Sequence, residues 1–216
     1  MVTVRADPWA PEYGMGFEAR VEEAPPLTDP SVETDDWTIP IRPSGRAPGP
    51  VWFVDGVRRV EVRLLLDDDG HRAPGLFGSY ATGAVRCDGK ASFADHHVGR
   101  AVVGGGGIRP PRVEVKVGTH RAGYEPACDP GEDPDRPLWK LQQLMQQEEG
   151  NLAARVASDG GRLVLVDGPL TFFDPTGAPV VGVVKRFARH YLDPDRELGR
   201  RAESGWSSRR SRPRGR

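Results

Sequence analysis

The chain is predicted to form an α/β fold: a mixed sheet with a strand-rich first half and one long helix placed before a further strand. Three observations carry that prediction. Apolar runs separated by Asp/Gly-rich turns succeed one another from Val51 to about Val117. Leu138, Leu141, Met145, Leu152 and Val156 then recur mostly at spacings of three and four, the apolar stripe of an amphipathic helix. Finally, Val51-Trp52-Phe53-Val54-Asp55-Gly56 and Leu163-Val164-Leu165-Val166-Asp167-Gly168 are two apolar runs that end alike in Val-Asp-Gly.

Taken in order, residues 1–50 are rich in proline and acid and lack a sustained period, so they are expected to be a segment that wraps the core or hangs loose. Strands are expected at Val51 to Asp55, Val60 to Leu66, Leu76 to Arg86, Val98 to Val103 and Val113 to Val117, as a meander. Gly104 to Gly107 is followed by no Gly-Lys-Ser/Thr and by no helix, because Pro110 and Pro111 intervene, so a flexible hairpin tip is expected there instead of a phosphate cradle. Asp95-His96-His97 is read as a polar turn and residues 119–136 as a proline-broken loop. The helix runs from Pro137, well suited to a helix start, to Ser158, and Gly160-Gly161 stops it. Strands at Leu163 to Asp167 and Val180 to Val184 follow, and residues 196–216 form a basic tail without apolar periodicity.

Composition narrows the class. With 216 residues there is enough chain for one well-packed domain, and a net charge of −1 predicts no overall attraction to nucleic acid. Charge is unevenly spread, however: acid crowds the first fifty positions, and Lys185 to Arg216 is strongly basic. Cys87 and Cys128 are too far apart for a close-paired zinc site and support no disulfide framework. No apolar run approaches the roughly 20 residues of a membrane span, and the first residues lack the apolar core of a signal peptide. A soluble, cytoplasmic protein is expected.

The chemistry lies in the acids. A carboxylate at the end of a buried strand, with a glycine behind it to turn the backbone away, presents oxygen ligands to a metal ion at a sheet edge. For Asp55-Gly56 an ordinary hairpin turn into Arg58 to Leu66 is the competing reading. On the helix, Glu148 continues Met145 by three and Glu149 by four, so at least one glutamate lies on or beside the buried stripe. Burying a carboxylate costs several kcal/mol unless it is paired or binds a cation, whereas a glutamate at the stripe's edge reaches solvent. Lys185 follows the third apolar run, at a strand end where a surface lysine is the common reading. Arg58, Arg59 and Arg186 lie near the acids in sequence, as phosphate contacts or as the charged half of a solvated strand. His190 follows in the same segment, where capping is the plain reading.

A strand with a terminal Asp, antiparallel strands, a helix with an inward glutamate and a second strand with a terminal Asp is the element order of the ribonuclease H-like fold. Within it the chain resembles the NurA nucleases, DNA end-processing enzymes associated with HerA-type helicases. The resemblance rests on Phe53-Val54-Asp55-Gly56-Val57-Arg58-Arg59-Val60-Glu61, Leu144-Met145-Gln146-Gln147-Glu148-Glu149-Gly150, Leu163 to Leu170 and Val181-Gly182-Val183-Val184-Lys185-Arg186. Asp7 to Gly14 and the stretch from Trp37 to Pro43 also look like bacterial members.

This resemblance implies a nuclease domain over residues 51–195 that uses Mn2+ or Mg2+ to act in double-strand break end processing, as a 5′ to 3′ exonuclease with single-strand endonuclease activity. Asp55, Glu149 and Asp167 would hold the metal, Glu148 being the alternative to Glu149, and Lys185 would join them in catalysis. Arg58, Arg59, Arg186 and His190 would hold DNA. A HerA-type ATPase partner and a homodimer follow from the same source. Family members continue with further strands where this chain has its basic tail, so a truncated or frame-shifted member with an incomplete sheet is expected. The alternatives are that the tail is an electrostatic arm for nucleic acid, or that the protein is a DNA- or helicase-binding remnant without activity.

Overall fold

Residues 2–7, 49–158, 163–170 and 179–183 are described by the computed structural model, and all of them fall in one compact unit of the chain. The segment around residues 8–48, the basic tail, and Lys185, Arg186 and His190 lie outside the described residues.

The strands are β1 (Val2–Ala6), β2 (Val51–Asp68), β3 (His71–Asp88), β4 (Lys90–Gly104), β5 (Val113–Val117), β6 (His120–Cys128), β7 (Leu163–Asp167) and β8 (Val180–Val183), with the helix α1 (Arg136–Ser158) between β6 and β7. They form one mixed sheet in the order β5-β6-β4-β3-β2-β7-β8, and β1 pairs with the far end of β2. Neighbours β2, β3 and β4 are antiparallel, whereas β6 runs parallel to β4, β7 to β2 and β8 to β7.

The α/β class and the mixed sheet agree with the sequence, but several boundaries do not. The two expected strands at 51–55 and 60–66 are a single 18-residue strand, so Asp55-Gly56 is no hairpin turn. The turn lies fourteen residues later, where Asp69 and Gly70 take φ of 52° and 91° and reverse the chain into β3. Both Asp-Gly pairs are competent turn formers; the one at 69–70 is flanked by polar residues on both sides, while the one at 55–56 lies inside a run that the sheet can bury. Residues 120–128, expected as loop, form β6 beside β4. Asp95-His96-His97 lies within β4 and not in a turn. Val2–Ala6, inside the segment expected to lack pattern, is an edge strand on β2.

The Gly104 to Gly107 stretch is an anchored turn and no free tip. The Gly105, Gly106 and Gly107 N–H groups donate to the carbonyls of Pro74, Gly131 and Asp129, and Gly106 and Gly107 have positive φ.

Alternation sorts the strands into two faces. Trp52 and Val54 on β2, Ala84 on β3, and Val164 and Val166 on β7 pack against Leu152, Ala153, Val156 and Ala157 of α1. Farther along the same face, Leu141 packs with Leu76, Ala101 and Val103. Leu141 and Leu152 are fully buried, each worth about 2 kcal/mol of apolar transfer. On the other face, at the end of the sheet remote from Asp55, a separate core joins Leu64, Leu66, Val102 and Tyr124, with Val4 of β1 and Val113 of β5 against it. Strands from the two edges of this half share one core there, so the long strands roll the sheet upon itself at that end.

Candidate functional site

The site forms where β2, β7 and α1 meet. The β2–β7 ladder pairs Val51 with Leu163 through Val54 with Val166, which makes Asp55 and Asp167 the next residues on two neighbouring parallel strands. At about 4.8 Å between strands, their backbones are side by side. Asp55 alternates with buried Trp52 and Val54 and is exposed, and Asp167 alternates with buried Val164 and Val166, so both side chains leave the sheet on the face away from α1.

Glu149 approaches from the other side. It occupies the apolar stripe four residues after Met145 and is only 5% exposed. It fits because residue 56 has no side chain: a Cβ there would stand 2.5 Å from Glu149 Oε1 and 3.0 Å from Met145 Cγ. The Gly56 N–H donates to Asp55 Oδ1 at 2.8 Å and also stabilises the charged form of Glu149 by hydrogen bonding. Two carboxylates are thus drawn to one backbone amide from opposite faces of the strand.

Glu149 accordingly has a carboxyl pKa pushed up to about 7, first by burial, then by the like charges of Asp55 and Asp167, with the Gly56 hydrogen bond acting in the opposite sense. Glu148 has a different environment. Its carboxylate accepts from Asn151 Nδ2 at 3.1 Å and Arg155 Nη1 at 3.2 Å, on the flank of the helix beside β3 and β4, where Arg155 also pairs with Asp95 and Glu148 acts on Tyr80. Of the two glutamates left open by the sequence, Glu149 is the one that turns inward.

Arg58 shares the helix face with Gly56, is half-buried, and donates through Nε to Gln142 Oε1 at 2.5 Å, so it ties β2 to α1. Burial lowers its pKa. Arg59 is on the opposite face with Asp55, four residues or roughly 13 Å farther along the strand.

Sequence reading missed two features of the site. Thr82, the cross-strand partner of Gly56 on the helix face, is 2% exposed and its hydroxyl has no hydrogen-bond partner among the described residues. Phe93 and His96 were also missed. They are three residues apart and would fall on opposite faces of a regular strand, but the ladder pairs Ala84 with Asp95 and Val85 with Phe93, so a bulge at Ala94 puts both on the Asp55 face. No residue type at position 94 signals that bulge. Threonine 82, by contrast, stands in a visibly alternating run of small residues.

Whether these residues suit a divalent metal has two answers. The donors are all carboxylate oxygens, as hard cations require, and a buried glutamate that feels the charges of two other acids is the kind of charge concentration that a cation relieves. As the side chains stand, though, no group of three or more His, Cys, Asp or Glu among the described residues is gathered closely enough to hold an ion. The chemistry of the donor set fits; a shared ion would require the aspartates and Glu149 to turn toward one another past Gly56. Among the described residues no helix is long and apolar enough to cross a membrane.

No protein-family model and no curated protein matches the chain.

Proposed function

We propose that the protein is a metal-dependent DNA nuclease of ribonuclease H-like architecture, akin to the NurA enzymes, in which Asp55, Glu149 and Asp167 hold Mn2+ or Mg2+. The observation that carries this reading is that Glu149, buried at real energetic cost, shares the Gly56 amide with Asp55 and feels the like charges of both Asp55 and Asp167, which lie side by side on neighbouring strands. The element order supports it as well: β2 with Asp55, antiparallel β3 and β4, α1 with an inward glutamate, then β7 with Asp167.

When bound, one or two divalent ions would supply activation of water and neutralisation of charge on the phosphodiester. The protein's own contribution is distinct. The β2–β7 register fixes the two aspartates side by side, and α1 delivers Glu149 through the space left by Gly56. Burial and the like charges of Asp55 and Asp167 favour the protonated form of Glu149, and a bound cation would take the place of that proton. Arg58 secures the strand to the helix behind the site through Gln142. Lys185, Arg186 and His190 keep the roles the resemblance implies, phosphate contact by the two cations and substrate contact by the imidazole. A HerA-type ATPase and a second copy of the chain are the partners of this reading, and break-end processing in the cytoplasm is its setting.

Incubating the purified chain with a labelled duplex and a labelled single strand, with Mn2+ and with EDTA, tests the proposal. Metal-dependent cleavage that disappears in Asp55→Ala supports it. Equal residual cleavage in both proteins, or none in either, would favour the second reading of a DNA- or helicase-binding protein without catalysis.

A further inference from the structure

Apart from aromatic residues, three polar or charged side chains are buried among the described residues: Thr82 at 2% exposure, Glu149 at 5% and Asp129 at 6%. Two of them have partners. Asp129 accepts from the Gly131 N–H at 2.9 Å and from Arg136 Nε at 2.7 Å, and Glu149 shares the Gly56 amide with Asp55. The Thr82 hydroxyl has none among the described residues, although it is the most deeply buried of the three. A hydroxyl taken out of water and left unpaired destabilises a fold, whereas a valine at the same place would fill nearly the same volume, suit a strand as well and leave nothing unpaired. Packing alone gives no reason for the oxygen.

Its position supplies one. The β2–β3 ladder sets Thr82 directly opposite Gly56, and residues so paired have Cβ positions about 4.5–5.5 Å apart on their common face. The Cβ position of residue 56 is the one that Glu149 fills, since an atom built there would stand 2.5 Å from Glu149 Oε1 and 3.0 Å from Glu149 Cδ. The unpaired hydroxyl and the buried carboxyl therefore occupy adjacent places beneath α1. Its other neighbours offer less. Ala84, two residues along β3 on the same face, is apolar, and the Tyr80 hydroxyl lies over Gly99 of β4, where a Cβ would stand 2.5 Å from it. Across the ladder on the far side from Gly56 is His97, an exposed residue whose ring lies 6.4 Å from that of Tyr80.

We infer that Thr82 is a positioning residue for Glu149: its hydroxyl donates to the Glu149 carboxylate when that carboxylate holds a divalent ion, and so fixes the direction in which the ligand oxygen is presented. The inference rests on the nuclease reading and adds a residue to its site. A carboxylate has about four lone-pair positions on two oxygens, so the Gly56 amide and one cation leave room for a further donor. Groups that hold a ligand in place without touching the ion are worth about ten- to a hundredfold in metal affinity.

Calorimetric titration of the full chain with Mn2+, in the absence of DNA, tests the inference together with thermal unfolding in EDTA. Thr82→Val should melt at or above the parent in EDTA, because it deletes an unpaired oxygen, and should bind Mn2+ at least about tenfold more weakly. Thr82→Ser keeps the hydroxyl and loses the methyl group, so it should melt lower yet hold Mn2+ within about threefold of the parent. His97→Ala should leave Mn2+ affinity as it is. A merely structural threonine would move stability and affinity in the same direction. Unchanged affinity in Thr82→Val would overturn the inference, as would an equal loss in Thr82→Ser, which would assign the effect to shape, or the same loss in His97→Ala, which would make the imidazole the partner of the hydroxyl. A lower melting temperature of Thr82→Val in EDTA would overturn it too, because the hydroxyl would then be paired without the ion. So would a parent that binds no Mn2+, or whose binding is untouched by Glu149→Gln. Failure of the nuclease reading looks different: Mn2+ binding that depends on Thr82 in a chain that cleaves no DNA.

Discussion

The two Val-Asp-Gly copies are identical in three residues and preceded by similar apolar runs, yet the chain treats them in opposite ways. After Asp55 the strand continues for another thirteen residues, and after Asp167 it stops. Gly168 has φ of 85°, a conformation that suits glycine, and a Cβ there would meet nothing within 4 Å. Gly56 has no positive φ, and a Cβ would collide with Glu149. One glycine is needed for its backbone freedom and the other for its missing side chain. The same tripeptide thus ends a strand in one place and admits a buried carboxylate in the other, and what differs is the element packed against it.

The strongest break of this comparison removes the acids themselves. Asp55→Ala and Asp167→Ala should each lower metal-dependent cleavage at least about a hundredfold, measured as initial rate on labelled DNA. Asp69→Ala, in the Asp-Gly that does turn, should leave that rate unchanged.

The pH dependence of stability tests the buried member of the set. Glu149 has a folded pKa of about 7, above its ordinary 4.5, so the folded state binds the proton more tightly than the unfolded state. Its favourable contribution is complete below about pH 4.5 and is lost as the pH rises through about 7, a decrease on the order of 3 kcal/mol. Urea unfolding in EDTA should show this fall, and Glu149→Gln should flatten it. Adding Mn2+ should raise the melting temperature more at pH 8 than at pH 6, where the proton competes with the metal.

The glycines sharpen the contrast further. Gly56→Ala should cost about 1–3 kcal/mol by overpacking against Glu149 and Met145, and should also reduce the Mn2+-induced shift in melting temperature. Gly168→Ala should cost about 1–2 kcal/mol through its left-handed backbone alone and leave the pH profile of Glu149 in place. The smallest effect belongs to Glu148→Ala. Its contacts with Asn151 and the half-exposed Arg155 are worth about 1 kcal/mol, and cleavage should persist.

Much of this arrangement was legible from residue order. The stripe through Leu141, Met145, Leu152 and Val156 specifies the helix and its buried side, and burial of these four residues follows the expected period. It also limited the inward glutamate to Glu148 or Glu149 without deciding between them, because the two positions flank the stripe and a rotation of a few tens of degrees favours either. Packing decided it: Gly56 left room for Glu149, and Arg155 and Asn151 engaged Glu148. Residues 120–128 were illegible as a strand because Pro126 and two glycine-flanked turns mark loop, and the pairing with β4 overrode that local signal.

The sequence by itself determined which segments are apolar, their period, and therefore the class of fold and the identities of the acids at its centre. Those properties are local: they depend on the spacing of side chains along a strand or helix. Only the tertiary structure decided which Asp-Gly turns, which glutamate enters, and which face Phe93 joins. Each of these depends on a partner distant in the chain, a helix over Gly56 or a ladder that slips by one residue at Ala94, and no run of neighbouring residues carries that information.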